Sequence, residues 1–223
     1  MKAKAGLIAA TLSLLPLGQP LPLLLATLTA TTTELVLQAS PALAQDASAV
    51  ARIAKEITVK IDGSTQGSGV LIHKVLSRYR VVTAWHVVED IAEGEEVTIT
   101  TSDGKEHEIE QGSIQRLGEV DLATLIFNSS DSYKVASIGD VRSVPRAAFI
   151  QVAGYPLPSL DVPRRLFRIF KGEVITNSDK YLPDGYEVLY SNPTLPGISG
   201  GSVLNSQGEL VAIHGKAEKD INV

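Results

Sequence analysis

From residue 57 onward the chain falls into short runs that alternate apolar and polar side chains, each closed by glycine, proline, asparagine or aspartate. Ile57-Thr58-Val59-Lys60-Ile61 is the clearest run, and Asp62-Gly63 then breaks it. Residues 69–73, 79–83, 97–101 and 122–127 continue the pattern, with Asp103-Gly104 among the turns between them. A second set covers 147–153, 166–176, 186–190, 201–204 and 210–213. Side chains alternate across a strand, so a period of two gives each strand one face for a core and one for solvent. The runs lack intervening helices of the length that joins parallel strands. The chain is therefore expected to be all-β and antiparallel, a sandwich or barrels. Helix is expected only in short pieces, at 48–55 and 86–92.

The first residues stand outside that pattern. Lys2 and Lys4 precede an apolar, leucine-rich stretch, and Ala42-Leu43-Ala44 is a small-x-small site before Gln45-Asp46. This reads as a signal peptide over 1–44, cleaved after Ala44, which makes the protein secreted or periplasmic. The stretch approaches the ~20 residues of a membrane-spanning helix. Pro16, Pro20 and Pro22 argue against one stable helix, because each removes a backbone donor. Loss of 44 residues from 223 leaves 179. The leader carries Lys2, Lys4 and Glu34, so the net charge moves from −5 to −6. That mild acidity offers nothing to nucleic acid or to an anionic membrane. There is no cysteine, which excludes disulfides and thiolate metal sites. His73, His86, His107 and His214 show no HxxxH or HExxH spacing, so no metal site and no cofactor is expected.

Three short motifs carry chemistry. Ser199 lies in Pro196-Gly197-Ile198-Ser199-Gly200-Gly201, His86 in Thr83-Ala84-Trp85-His86-Val87-Val88, and Asp121 in Val120-Asp121-Leu122-Ala123. A hydroxyl is a poor nucleophile until a base takes its proton, and that base must itself be oriented. Each residue also has a plain reading: His86 as a buried structural histidine, Asp121 as a turn residue, the glycine pair as ordinary turn chemistry. Their conjunction, in the order His, Asp, Ser, favours a catalytic triad. Gly197 can leave its N–H free to join that of Ser199 at an oxyanion, and the other glycines place no Cβ across the serine. The Gly-x-Ser-x-Gly pattern also suits the nucleophile elbow of α/β-hydrolases, where acid and histidine follow the serine. Here only His214 and Asp220 follow, with 24 residues left, so that reading fails.

With these residues the chain resembles the trypsin-like serine peptidases, in the cysteine-free bacterial branch that includes the high-temperature-requirement proteases and the glutamyl endopeptidases. The matching blocks are Gly67-Ser68-Gly69-Val70-Leu71-Ile72, Val81-Val82-Thr83-Ala84-Trp85-His86-Val87-Val88, Val120-Asp121-Leu122-Ala123-Thr124-Leu125 and Gly197-Ile198-Ser199-Gly200-Gly201-Ser202-Val203. The resemblance implies two antiparallel six-stranded β-barrels with the active site between them. One peptidase domain would then cover 45–223, with barrels at about 56–128 and 133–223 joined through polar residues 128–132. It implies endopeptidase activity on polypeptide substrates through His86, Asp121 and Ser199, an oxyanion hole at Gly197 and Ser199, and no cofactor. An imidazole must be neutral to act as base, so hydrolysis is expected to rise between about pH 6 and 8.

Two features depart from the family. Relatives mostly carry Asn or Asp before the serine, where a polar side chain helps fix the turn; here Ile198 must be held by apolar packing. The end after Ala212-Ile213-His214-Gly215 is short, so the second barrel is expected to be incomplete: either 221–223 begins a truncated strand or the chain is a fragment. These features keep open an alternative, a catalytically silent secreted β-barrel that binds peptides along strand edges. Thr194 and His214 match the places where glutamyl endopeptidases bind an acidic side chain, through a hydroxyl and an imidazolium donating to the carboxylate. No acidic residue lies in Ser191-Asn192-Pro193-Thr194-Leu195 to favour basic substrates.

Overall fold

The computed structural model describes residues 41–92, 94–178 and 182–216, with the side chains of 41–46 excepted. All of them fall in one unit, 38–223. The expected leader lies outside the described residues except for its last four. So does the strand expected at 221–223.

The alternating runs form strands where their period places them. In the first half these are β1 (Thr58–Asp62), β2 (Gly67–Val75), β3 (Arg78–Thr83), β4 (Thr98–Thr100), β5 (Glu106–Glu108), β6 (Gln115–Arg116) and β7 (Ala123–Asn128). They make one sheet in the order β5-β4-β1-β2-β3-β7-β6, antiparallel throughout. Just beyond β5 an isolated bridge joins Ile109 to Phe127 of β7, and the Glu110 N–H donates to the Ile126 carbonyl at 2.7 Å. The sheet thus curls until its two sides meet. Val59, Ile61, Leu71, Tyr79, Val81, Ile99, Leu125 and Phe127 fill its interior, all fully buried.

The second half supplies β8 (Phe149–Gly154), β9 (Arg168–Asn177), β10 (Val188–Tyr190), β11 (Ser202–Leu204) and β12 (Leu210–Ile213). Their order is β10-β9-β8-β11-β12, again antiparallel. The two sheets thus hold seven and five strands among the described residues; two six-stranded barrels were expected, the second of them incomplete. Two of the first sheet's strands carry no apolar alternation in Glu106-His107-Glu108 and Gln115-Arg116, so only pairing with neighbours reveals them.

Helix α1 (Pro41–Ile57) is longer than the expected 48–55. Proline is tolerated in a first helical turn, and Lys55 suits the negative end of the helix dipole. Val50, Ala54 and Ile57 share one face and are buried with Val70 and Val82 of the first sheet and Ala153, Leu204 and Leu210 of the second. The helix therefore seals the seam between the sheets. Alternation along β8 explains the split: Ala153 faces this seam, while Ile150 and Val152 enter a third cluster with Val144, Val174, Ile198 and Val203. A four-residue helix, α2 (Trp85–Val88), follows β3 directly, shorter than the expected 86–92.

Candidate active site

β3 ends at Thr83, and α2 turns its second residue, His86, toward the loop that leads into β7. That loop carries Asp121, which is buried, and whose backbone N–H donates to the Asp184 carbonyl at 2.8 Å. The contact between the two residues is two-pronged. The His86 backbone N–H donates to Asp121 Oδ1 at 2.9 Å, and the ring Nδ1 lies 2.7 Å from Oδ2. Burial by itself raises the Asp121 carboxyl, but the hydrogen bonds from the His86 ring, the Tyr186 hydroxyl and the His86 N–H outweigh it. They hold its pKa down at about 2. An ionised carboxylate only accepts, so Nδ1 carries a proton, and in the neutral ring the lone pair then lies on Nε2. The imidazole is a quarter exposed, enough to meet a substrate.

Tyr186 was not singled out in the sequence. Its hydroxyl donates to Asp121 Oδ2, and that bond together with burial raises its own pKa. It follows a short turn at Pro183–Gly185 and stacks against Gly215, where any Cβ would lie 2.1 Å from the ring. No periodic signal marks such a residue, because its partner is 65 positions away.

Ser199 sits in a turn shaped by glycine. Gly197 and Gly200 adopt φ of +90° and +84°, and a Cβ on Gly200 would stand 2.0 Å from the Ser68 carbonyl oxygen. The Ser68 N–H donates to the Ser199 carbonyl at 2.8 Å, and the Gly200 N–H donates to the His214 carbonyl at 2.7 Å. The Ser199 hydroxyl donates to the Gly215 carbonyl at 3.2 Å. One chain of contacts thus runs from Ser199 through Gly215 and Tyr186 to Asp121 and His86. Among the described residues no acceptor engages the N–H of Gly197 or of Ser199. Ile198 is fully buried with Val144, Ile150, Val152, Val174 and Val203, as its apolar side chain requires.

Thr194 and His214 also come together. Thr194 Oγ1 lies 2.8 Å from His214 Nε2, and the Tyr190 hydroxyl lies 2.6 Å from Nδ1. Burial, with His86 nearby, pushes His214 down to about 4, so its ring is neutral near pH 7. An imidazolium was expected at this place. Burial raises Tyr190, which therefore stays protonated and is able to donate to Nδ1. In that tautomer Nε2–H donates to Thr194, whose own proton is left for an acceptor outside; Thr194 is exposed. Among the described residues no group of three or more His, Asp or Glu is gathered as a metal would need.

The comparisons with known proteins agree with this architecture. The profile of the trypsin-like peptidase domain matches residues 67–213, a span that begins at β2 and ends with β12. A search of curated proteins finds no match. A crystal structure of Deg5 is similar in fold, with a TM-score of 0.64 at 18% identity, covering 78% of this chain and 85% of that one. With two antiparallel sheets and the family profile spanning most of both, the chain belongs to the trypsin-like peptidase family and is a protease by that membership.

Proposed function

We propose that this protein is an exported serine endopeptidase that works through an acyl-enzyme. The observation that carries the reading is the two-pronged grip of Asp121 on His86, which selects the tautomer a general base needs. Ser199 Oγ attacks the scissile carbonyl as His86 Nε2 takes its proton, and the tetrahedral oxyanion is received by the N–H groups of Gly197 and Ser199. Asp121 stabilises the imidazolium that forms. His86 then returns the proton to the leaving amine, and water repeats the sequence on the acyl-enzyme. In the resting protein the serine hydroxyl donates to Gly215; catalytic hydrogen bonds commonly align only when substrate is bound.

The leader over 1–44 supports export. The Tyr190–His214–Thr194 contacts support cleavage after acidic residues, because a Thr194 hydroxyl that accepts from Nε2–H has its proton free to donate to a substrate carboxylate. One observation favours the silent peptide-binding alternative: Ser199 engages Gly215 rather than the base. A fluorophosphonate probe separates the two. The expected result is labelling at Ser199, abolished in His86→Ala, with hydrolysis lost in Ser199→Ala. Hydrolysis that persists in Ser199→Ala rejects the assignment. Peptide-library profiling tests the pocket: enrichment of Glu or Asp before the cut should fall in Thr194→Val, and a preference for Val or Ala indifferent to that change ends the acidic reading.

A further inference from the structure

The turn that carries the oxyanion donors lacks a polar residue at position 198, so something else must set its orientation. The donors belong to Gly197 and Ser199, and the peptide between Gly197 and Ile198 links them. It carries neither donor: its own N–H, on Ile198, donates to the Leu195 carbonyl at 3.2 Å, but its setting fixes ψ of Gly197 and φ of Ile198, the torsions that lie between the two donor peptides. Its carbonyl oxygen, on Gly197, is held from two sides. Ser68 Oγ donates to it at 2.9 Å, and Arg165 Nη2 lies 3.4 Å from it.

Both holders are themselves fixed. Ser68 is fully buried, its hydroxyl accepts from the Tyr155 N–H at 2.9 Å, and its carbonyl accepts from Thr83 Oγ1 at 2.7 Å. The Arg165 side chain is only 6% exposed. Its guanidinium donates to the carbonyls of Ile61 at 2.8 Å, Gly67 at 2.6 Å and Tyr155 at 2.7 Å, and it pairs with Asp62. A planar fork with several fixed acceptors has little freedom to move. Arg165 thus ties the ends of two strands of the first sheet to the nucleophile's turn, which the second sheet carries.

We propose that Ser68 and Arg165 are positioning residues that clamp the Gly197 carbonyl and thereby aim the oxyanion donors, in place of a polar side chain before the serine. This rests on the proposed assignment of Gly197 and Ser199 as those donors. Neither clamp residue touches the reacting atoms, so their effect is on transition-state binding rather than on substrate affinity. Loss of a whole oxyanion donor costs about 10²–10³ in rate, so misaiming is expected to cost about 10–10².

The test compares Ser68→Ala, Arg165→Met and Arg165→Lys with the wild type. In Ser68→Ala and Arg165→Met, kcat should fall about 10–10², with KM changed less than about threefold. Affinity for a peptide aldehyde, whose adduct carries an oxyanion, should fall in step with kcat/KM. Arg165→Lys should restore part of the loss. A second measurement does not need activity. In the Ser199→Ala background, the Ile198 amide nitrogen resonance should move upfield when the Gly197 carbonyl loses a donor. Should Arg165→Met fail to fold, Ser68→Ala, which removes one hydroxyl, decides. Unchanged kcat in folded Ser68→Ala, or an unmoved Ile198 resonance, overturns the clamp. A wild type that neither labels nor hydrolyses rejects the peptidase reading instead, and the clamp then stands or falls on the Ile198 resonance.

Discussion

Asp121 receives three donors: the His86 N–H, the His86 ring and the Tyr186 hydroxyl. They do different work, and substitution can separate them. Asp121→Asn presents an amide N–H to the imidazole or loses the bond, so Nε2 is no longer held in the form that a base needs; kcat should fall about 10³–10⁴. Tyr186→Phe removes one donor and leaves the His86 contacts, so kcat should fall by less than about tenfold. Steady-state rates normalised to titrated serine check both. Equal losses in the two variants would place Tyr186 in the catalytic machinery itself. The candidates for base, acid and nucleophile were legible in the sequence, because each sits in a short local motif. Tyr186 and Tyr190 were not, since a tyrosine gains meaning only from the group its hydroxyl meets.

At the scale of elements, α1 seals the seam through Val50, Ala54 and Ile57. Ile57 is fully buried. Ile57→Ala should therefore cost about 2–4 kcal/mol, whereas Lys55→Ala, on the exposed face, should cost less than about 0.5. Urea midpoints measure the difference, and similar midpoints would mean that the helix does not contribute to the core. The period-two runs made ten strands readable, because each buries one face. Glu106–Glu108 and Gln115–Arg116 escaped, because neither alternates apolar with polar residues. The extent of α1 escaped too: propensity marks a helix centre better than its ends.

On the scale of the whole molecule, the site's buried groups set how stability depends on pH. Burial holds His214 down at about 4 in the fold against an ordinary 6.5. The unfolded chain therefore binds a proton that the fold refuses, and stability falls as pH drops from 6.5 toward 4, by at most on the order of 3 kcal/mol. Asp121, at about 2 against 3.8, stabilises above pH 3.8, and that contribution is lost as pH falls toward 2. His214→Gln should flatten the upper window and leave the lower one, measured as urea midpoints against pH. An unchanged slope would mean that His214 stays protonated in the fold. The sequence by itself determined the class of fold, the strand punctuation and the candidate base, acid and nucleophile, because periodicity and short motifs are properties of neighbours along the chain. Only the tertiary structure decided that His214 is buried, which lowers its pKa, and that Ser68 and Arg165 grip Gly197. Burial and hydrogen-bond partners are properties of packing, and Ser68 meets Gly197 across 129 residues of chain.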